Sequence, residues 1–297
     1  MKEVLIKEYN NLKNLRIKPK KDDFLYNIHF VEGAFCEIRG AEDTEFRIEF
    51  IDKKDGKFLH HHDINNNMWT RTNTRYFVDY LIKVKNRNTG EVIHECEYNA
   101  KGKRVMICFD SKAIGDTLAW FPYVEEFRKK HQCEVIVSTF HNEWFKDNYP
   151  DLEFIEPGDT AYNLYARYDI GWYYDKAEYD ENNTINFNKT PTDFRKNPLG
   201  KTCSDILGLD FKEIKPKLTF KNTGSTIKGD YVVIAPHGSA HAKYWNRKGG
   251  WQDVIDHLNN NGYKVVMITQ EPLGDEWHDS KLGGTLKGVI DKTGDAQ

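Results

Sequence analysis

Between residues 26 and 98 apolar and polar side chains alternate with a period of two. Phe46, Ile48 and Phe50 are separated by Arg47 and Glu49, the pattern of a strand with one face on a core and the other in water. A second run of this kind covers residues 76–85, and Asn88, Thr89 and Gly90 turn the chain into a third at 91–98. Asp55-Gly56, between Phe50 and Phe58, is a further hairpin signal. These segments predict an antiparallel β-sandwich or small barrel over residues 1–100.

The pattern changes at residues 100–103. Val105 to Phe109 is a continuous apolar run, as expected for a parallel strand covered on both faces. A helical stretch follows to about His131, with Leu118, Phe121, Val124 and Phe127 forming a core-facing stripe. Pro122 must then lie in a first turn or kink the helix. Next come an apolar strand at 135–137, a helix ending near Pro150, short strands at 152–155 and 168–172, and a helix at 202–207 before Gly208. Strands alternating with helices predict βαβ units in a doubly wound sheet over residues 101–228. Residues 173–198 show no period and are rich in Asn, Asp and Lys. A loop that long within a compact domain is either functional or a disordered insertion.

A second α/β unit is predicted from residue 229. Tyr231 to Ala235 reads as its first strand, Trp251, Val254, Ile255 and Leu258 recur at helical spacing, and Gly262 stands where a helix-ending glycine belongs. Strands follow at 265–268 and from 289. The 68 residues from Asp230 to Gln297 fall short of the ~100 that usually cover both faces of such a sheet, so this second domain is expected to be incomplete.

Composition narrows the function classes. The 297 residues are 39% hydrophobic and 30% charged, with no apolar run long enough to span a bilayer and no leader-type apolar core in residues 1–20. A net charge of −3 argues against a basic nucleic-acid surface. The five cysteines (Cys36, Cys96, Cys108, Cys133, Cys203) are widely spaced with no Cys-x-x-Cys, which suits a reducing cytoplasm. His60-His61-His62 lies on a predicted strand, where neighbours point to opposite faces and do not converge on one ion. Asp-x-Asp is absent, as is Gly-x-Gly-x-x-Gly after Phe109.

Two loops can carry chemistry. In open α/β sheets ligands bind beyond the carboxyl ends of the strands, where Asp110, Ser111, Gly115, Asp116 and Thr117 lie. Asp116 has two roles open to it: N-cap of a helix beginning near Thr117, or a base that takes a proton from a hydroxyl. The second loop, residues 236–245, sets small residues Gly238, Ser239 and Ala240 beside Lys243 and Trp245. Either its backbone amides and lysine bind a phosphate, or it is a polar surface loop with one aromatic anchor.

Taken together, these stretches resemble the O-heptosyltransferases that glycosylate bacterial autotransporter adhesins, within the heptosyltransferase superfamily of GT-B fold. The resemblance is carried by Asp110-Ser-x-x-x-Gly-Asp-Thr-Leu-Ala-Trp-Phe-Pro122, by Pro191-Thr-Asp-Phe-Arg-x-x-Pro-Leu199, and by His237-Gly-Ser-Ala-His-Ala-Lys-Tyr-Trp-Asn246 with Gly250-Trp-Gln252. Asn66-Asn-Met-Trp-Thr70 and Tyr76-Phe-Val78 extend it into the β region. It implies an N-terminal antiparallel β domain followed by a pair of Rossmann-like domains, the second incomplete here. It also implies inverting transfer from ADP-heptose, or a related nucleotide sugar, to protein serine hydroxyls. By resemblance the catalytic base falls on Asp116 and the donor-phosphate lysine on Lys243. Asp110, Ser111, Gly115, Thr117, His237, Gly238, Ser239 and Trp245 join as substrate-binding candidates. The predicted winding of the sheet puts the 173–198 loop on the Asp116 side, where it either lines the acceptor cleft with Asp193 and Arg195 as polar contacts or is a surface insertion. The family's cysteine-ligated iron site is expected only beyond residue 297. The implied partners are an adhesin-like protein acceptor, the nucleotide-sugar donor and further copies of the chain, with no nucleic acid and no membrane. The rival reading is a non-enzymatic adhesin- or glycan-binding module on an α/β scaffold.

Overall fold

The structure is a computed structural model that describes residues 24–40, 43–176, 183–219, 227–238, 243–245, 247–269 and 286–294. The chain divides into two compact units, Met1–Phe220 and Lys221–Gln297.

The first unit begins with two antiparallel sheets. One has the order β1-β2-β5, from Leu25–His29, Phe35–Arg39 and Met68–Arg71. The other has the order β4-β3-β6-β7, from Lys57–Asn65, Glu45–Asp52, Tyr80–Asn86 and Val92–Glu97. Alternation sets the buried face: Phe46, Ile48 and Phe50 of β3 lie inside with Tyr80, Ile82 and Val84 of β6, and Ile48 pairs with Val84, Phe50 with Ile82. Both predicted hairpins form, with Gly56 at φ +70 and Gly90 at φ +74, a backbone region that glycine enters without a steric penalty. The strand predicted from residue 76 starts only at Tyr80. The histidine tract lies on β4, an edge strand.

A four-stranded parallel sheet follows in the order β10-β9-β8-β11, from Leu152–Ile155, Glu134–Ser138, Arg104–Phe109 and Leu164–Ile170. Val105, Ile107 and Phe109 of β8 face the main core, while Met106 and Cys108 join Ile136 on the opposite face. That two-sided burial explains the unbroken apolar run. The helical stretch is two helices, α1 (Ile114–Trp120) and α2 (Pro122–His131). Pro122 opens α2, where a missing N–H costs nothing. The helix predicted to end near Pro150 is instead two short 3-10 turns, Asn142–Trp144 and Lys146–Asn148. Asn142 there accepts from the Thr139 amide and hydroxyl, a side-chain-to-backbone bond that competes with helix. The strand predicted at 168–172 runs from Leu164 to Ile170, and α3 (Leu199–Ile206) starts three residues earlier than predicted.

The antiparallel and parallel parts of this unit share one core. Phe30, Tyr80, Tyr98, Val105, Phe127 and Tyr168 belong to a single buried cluster. Phe30, just past β1, also makes a one-residue parallel bridge to Ala166 of β11. Residue 100 therefore marks a change from antiparallel to parallel pairing without a break in the core.

In the second unit β12 (Tyr231–Ile234), β13 (Lys264–Met267) and β14 (Val289–Asp291) form a parallel sheet. Helix α4 (Gly250–Asn260) sets Ile255, Trp251 and Leu258 against Ile234, Val265 and Met267. Gly262 follows α4 at φ +84, as its position after the helix requires.

Candidate active site

The strand order places a reversal beside β8. β9 and β10 lie on one side of it and β11 on the other, so the loops leaving β8 and β11 part at their carboxyl ends, the place where open α/β sheets bind ligands. The loop after β8 is Asp110-Ser111-Lys112, and the one after β11 is Gly171-Trp172-Tyr173. Together they line a cavity of about 480 Å³.

Asp116 does not cap a helix. It lies within the first turn of α1, whose N-cap is Ala113 without a side-chain cap bond. Its half-buried carboxylate is held through one oxygen: Oδ2 accepts from Ser111 Oγ at 2.6 Å and from Trp172 Nε1 at 2.9 Å. Ser111 Oγ in turn accepts from the Ala113 amide at 3.1 Å. Oδ1 takes no hydrogen bond from the described residues. The arrangement fixes the carboxylate and leaves one oxygen to receive a proton. Gly115 beside it is exposed, and a Cβ there would meet nothing within 4 Å.

Asp110 is the other carboxylate of the loop. Its amide donates to the Ile170 carbonyl at 2.9 Å, which ties the start of this loop to the end of β11. Its Oδ2 accepts from the Tyr173 hydroxyl at 2.6 Å. Burial, then the charge of Asp110, push the Tyr173 phenol well above its usual range, so the phenol stays a donor. Asp110 and Ser111 line the 480 Å³ cavity, and Asp116 lies behind them. Asp110 and Tyr173 also border a second cavity of about 260 Å³, reached by Glu32, Arg75, Arg167 and Asp169. Burial raises the Asp169 carboxyl, and Arg167 beside it opposes the shift.

Three sequence candidates sit elsewhere. Thr117 is fully buried, and its hydroxyl donates to the Ala113 carbonyl at 3.1 Å, so it supports the helix turn and not the cleft. Asp193 and Arg195 bind each other at 2.9 Å through two bonds. The Arg195 guanidinium holds the Asp193 carboxyl down at about 2, and neither residue borders the two cavities. Asp193 also accepts from the Arg195 amide to start a 3-10 turn. Residues 177–182 of the same loop lie outside the described residues. Trp172 and Tyr173 were missed by sequence reasoning, which placed Trp172 within a strand. An aromatic run directly after a strand's carboxyl end was the available signal.

In the second unit the loop after β12 carries His237 and Gly238, with Lys243, Tyr244 and Trp245 following; Ser239 lies outside the described residues. The His237 and Tyr244 rings stack at 6.0 Å. A Cβ on Gly238 would come within 3.0 Å of Lys243 Cβ, so glycine permits the close approach of these two segments. Trp245 packs edge-on against Trp251 at 5.4 Å. Lys243 is exposed.

The chain is 31% identical over 253 residues to the autotransporter heptosyltransferase BAHTCr of Citrobacter rodentium (strain ICC168), covering 84% of this chain and 58% of that protein. It is a homologue of the autotransporter heptosyltransferases. The crystal structure of the iron-containing dodecameric glycosyltransferase TibC, from enterotoxigenic E. coli H10407, matches with a TM-score of 0.75 at 26% identity. That match covers 93% of this chain and 68% of TibC. TibC in complex with ADP-D-β-D-heptose gives a TM-score of 0.76. A heptosyltransferase relative named inactive, BimC of Burkholderia thailandensis (strain ATCC 700388 / DSM 13276 / CCUG 48851 / CIP 106301 / E264), is 27% identical over 201 residues, covering 66% of this chain and 45% of its own length. The chain thus spans a little over half the length of BAHTCr. No protein-family model matches it.

The mixed parallel and antiparallel α/β fold predicted from sequence agrees with the TibC fold. The described residues do not fit an iron centre. The five cysteines are free, and four of them are buried. No three His, Cys, Asp or Glu side chains gather to hold a metal among the described residues. No described helix is long and apolar enough to cross a membrane.

Proposed function

We propose that the protein is an inverting glycosyltransferase that moves heptose from ADP-heptose, or a related nucleotide sugar, to serine hydroxyls of an adhesin-like protein. The observation that carries this reading is the Asp116 carboxylate at the strand-order reversal, fixed through Oδ2 by Ser111 and Trp172, in a homologue of heptosyltransferases. Homology alone is not enough, because one relative is named inactive.

In the proposed step Asp116 Oδ1 accepts the proton of the acceptor serine. The serine oxygen attacks the anomeric carbon from the face opposite the diphosphate, and the bond to the leaving oxygen breaks as ADP departs. Lys243 supplies positive charge for the diphosphate, with Gly238 and His237 as further donor contacts. Asp110, Ser111 and Gly115 border the space for the acceptor. The dodecameric state of TibC supports a homo-oligomer here as well.

The test is transfer itself. Incubation with ADP-heptose and a serine-rich autotransporter segment should add heptose to the segment, read by intact-mass spectrometry, with TibC as the positive control. No increment, and no release of ADP, under conditions where TibC works would favour the rival reading of a non-enzymatic adhesin- or glycan-binding module.

A further inference from the structure

β11 is an edge strand, so only one of its sides is taken by β8. The Ile170 carbonyl accepts from Asp110 on that inner side. Backbone groups alternate along a strand, so Ile170, Tyr168 and Ala166 bond inward while Arg167 and Asp169 present their amides and carbonyls outward. The outer side is used once. Phe30 donates its amide to the Tyr165 carbonyl at 2.6 Å and accepts from the Arg167 amide at 3.2 Å.

The chain then leaves the edge through Val31, Glu32 and Gly33, the last at φ +90. Among the described residues no backbone group meets the Arg167 carbonyl or the amide and carbonyl of Asp169 across that edge. The 260 Å³ cavity is lined by Arg167 and Asp169 of this strand together with Glu32, Arg75, Asp110 and Tyr173. Arg75 Nη1 on its wall is buried without a hydrogen bond among the described residues, and Glu32 of the same wall stands 3.9 Å from it as an ion-pair partner. An unpaired edge is a template for another strand. Here the template starts with one parallel pair already made and runs toward Trp172, whose indole holds Asp116.

We infer that the acceptor polypeptide docks by adding as a short extended strand to the outer edge of β11, continuing the pairing that Phe30 begins and leading a serine toward Asp116. The identity of the occupant rests on the transfer reading above; the edge and its cavity do not. Recognition by strand addition takes its affinity from main-chain bonds, and pockets for alternate side chains add specificity. Arg75 Nη1 would gain an acceptor oxygen from the docked chain.

The test uses the 297-residue protein and a fluorescein-labelled nonapeptide of serine, alanine and threonine, read by anisotropy without donor. Two isomers carry backbone N-methyl groups at alternate positions, one on the odd and one on the even residues. Strand addition predicts that one isomer binds at least tenfold more weakly than the parent, while the other stays within twofold. Asp169→Pro removes one outward amide, at a place where edge strands accept proline. It should weaken the parent peptide to a similar degree with the thermal midpoint little changed. If this variant does not fold, the isomer pair still decides. Equal effects of the two isomers overturn the proposal. So does absence of binding at millimolar peptide, the result expected if another segment covers the edge. Alternation in binding with no heptose transfer would sink the transfer reading and leave the docking edge standing.

Discussion

Asp116→Asn separates chemistry from support at the proposed site. The asparagine amide oxygen can take the place of Oδ2 and keep both donors, Ser111 at 2.6 Å and Trp172 at 2.9 Å. Each bond then changes from a charged to a neutral acceptor, a loss of about 1 kcal/mol apiece. Two such bonds at a half-exposed position give an expected destabilisation of about 1–2 kcal/mol, read as a lower urea midpoint with an unchanged slope. The amide has no basic lone pair to offer the serine proton. Turnover should therefore fall by roughly 10²–10⁴-fold, equivalent to about 2.7–5.5 kcal/mol of barrier, while the affinity for ADP-heptose stays within about twofold. Initial rates of heptose transfer, with Asp110→Asn alongside, are the assay. Asp116→Asn retaining more than a fifth of parent turnover would refute the assignment of the base. If Asp110→Asn abolished transfer at the same time, the role would pass to the carboxylate that lines both cavities.

Lys243→Ala should raise the KM for donor and slow transfer together, because a diphosphate carries charge before and during bond breaking; unchanged donor KM counts against the lysine. Gly208→Ala should destabilise the first unit by about 2–3 kcal/mol in urea titration, since Gly208 sits at φ +63 and a Cβ there would stand 2.1 Å from the Phe77 ring. His131 sets an acid limb. Burial, with Lys130 adding to it, lowers its imidazole to about 4, so between pH 6.5 and 4 the unfolded chain binds a proton that the folded chain refuses. Stability should fall across that window as pH drops, by roughly 1–2 kcal/mol after allowing for the partly exposed ring. His131→Phe should flatten that part of the profile, and an unaltered profile would show that other groups set it.

The sequence made the sheet layers legible because periodicity reports burial directly. Alternation at Phe46, Ile48 and Phe50 and the unbroken run from Val105 to Phe109 each match the faces that are covered. Element ends were less legible. The stretch before Pro150 reads as helix by composition, but Asn142 spends its side chain on Thr139 and on the Ile155 carbonyl, a tertiary bond that local pattern does not contain. The site was half legible. Gly115-Asp116 stood out on position and resemblance, whereas Trp172 reaches Asp116 from 56 residues away, a pairing that only strand order β8-β11 creates. The pairing of Asp193 with Arg195 was not legible, because a polar pair in a loop looks the same whether it faces a ligand or closes on itself.

The shared core around residue 100 bears on how this protein can be cut or recombined. Tyr98 is wedged between Phe30, Phe77 and Tyr165, donates its amide to the Tyr80 carbonyl at 2.8 Å and accepts from the Tyr168 hydroxyl at 3.2 Å. Tyr165 in turn accepts from the Asn99 amide at 2.8 Å. Scission at residues 100–103 would split this aromatic knot and leave raw ring surface on both products. The antiparallel sheets and the parallel sheet should accordingly melt in one cooperative transition, and a protease that nicks residues 100–103 should yield two pieces that copurify. Gene fusion or domain grafting that takes the β layer alone would inherit half a core, so the smallest transferable block is the whole of the first unit.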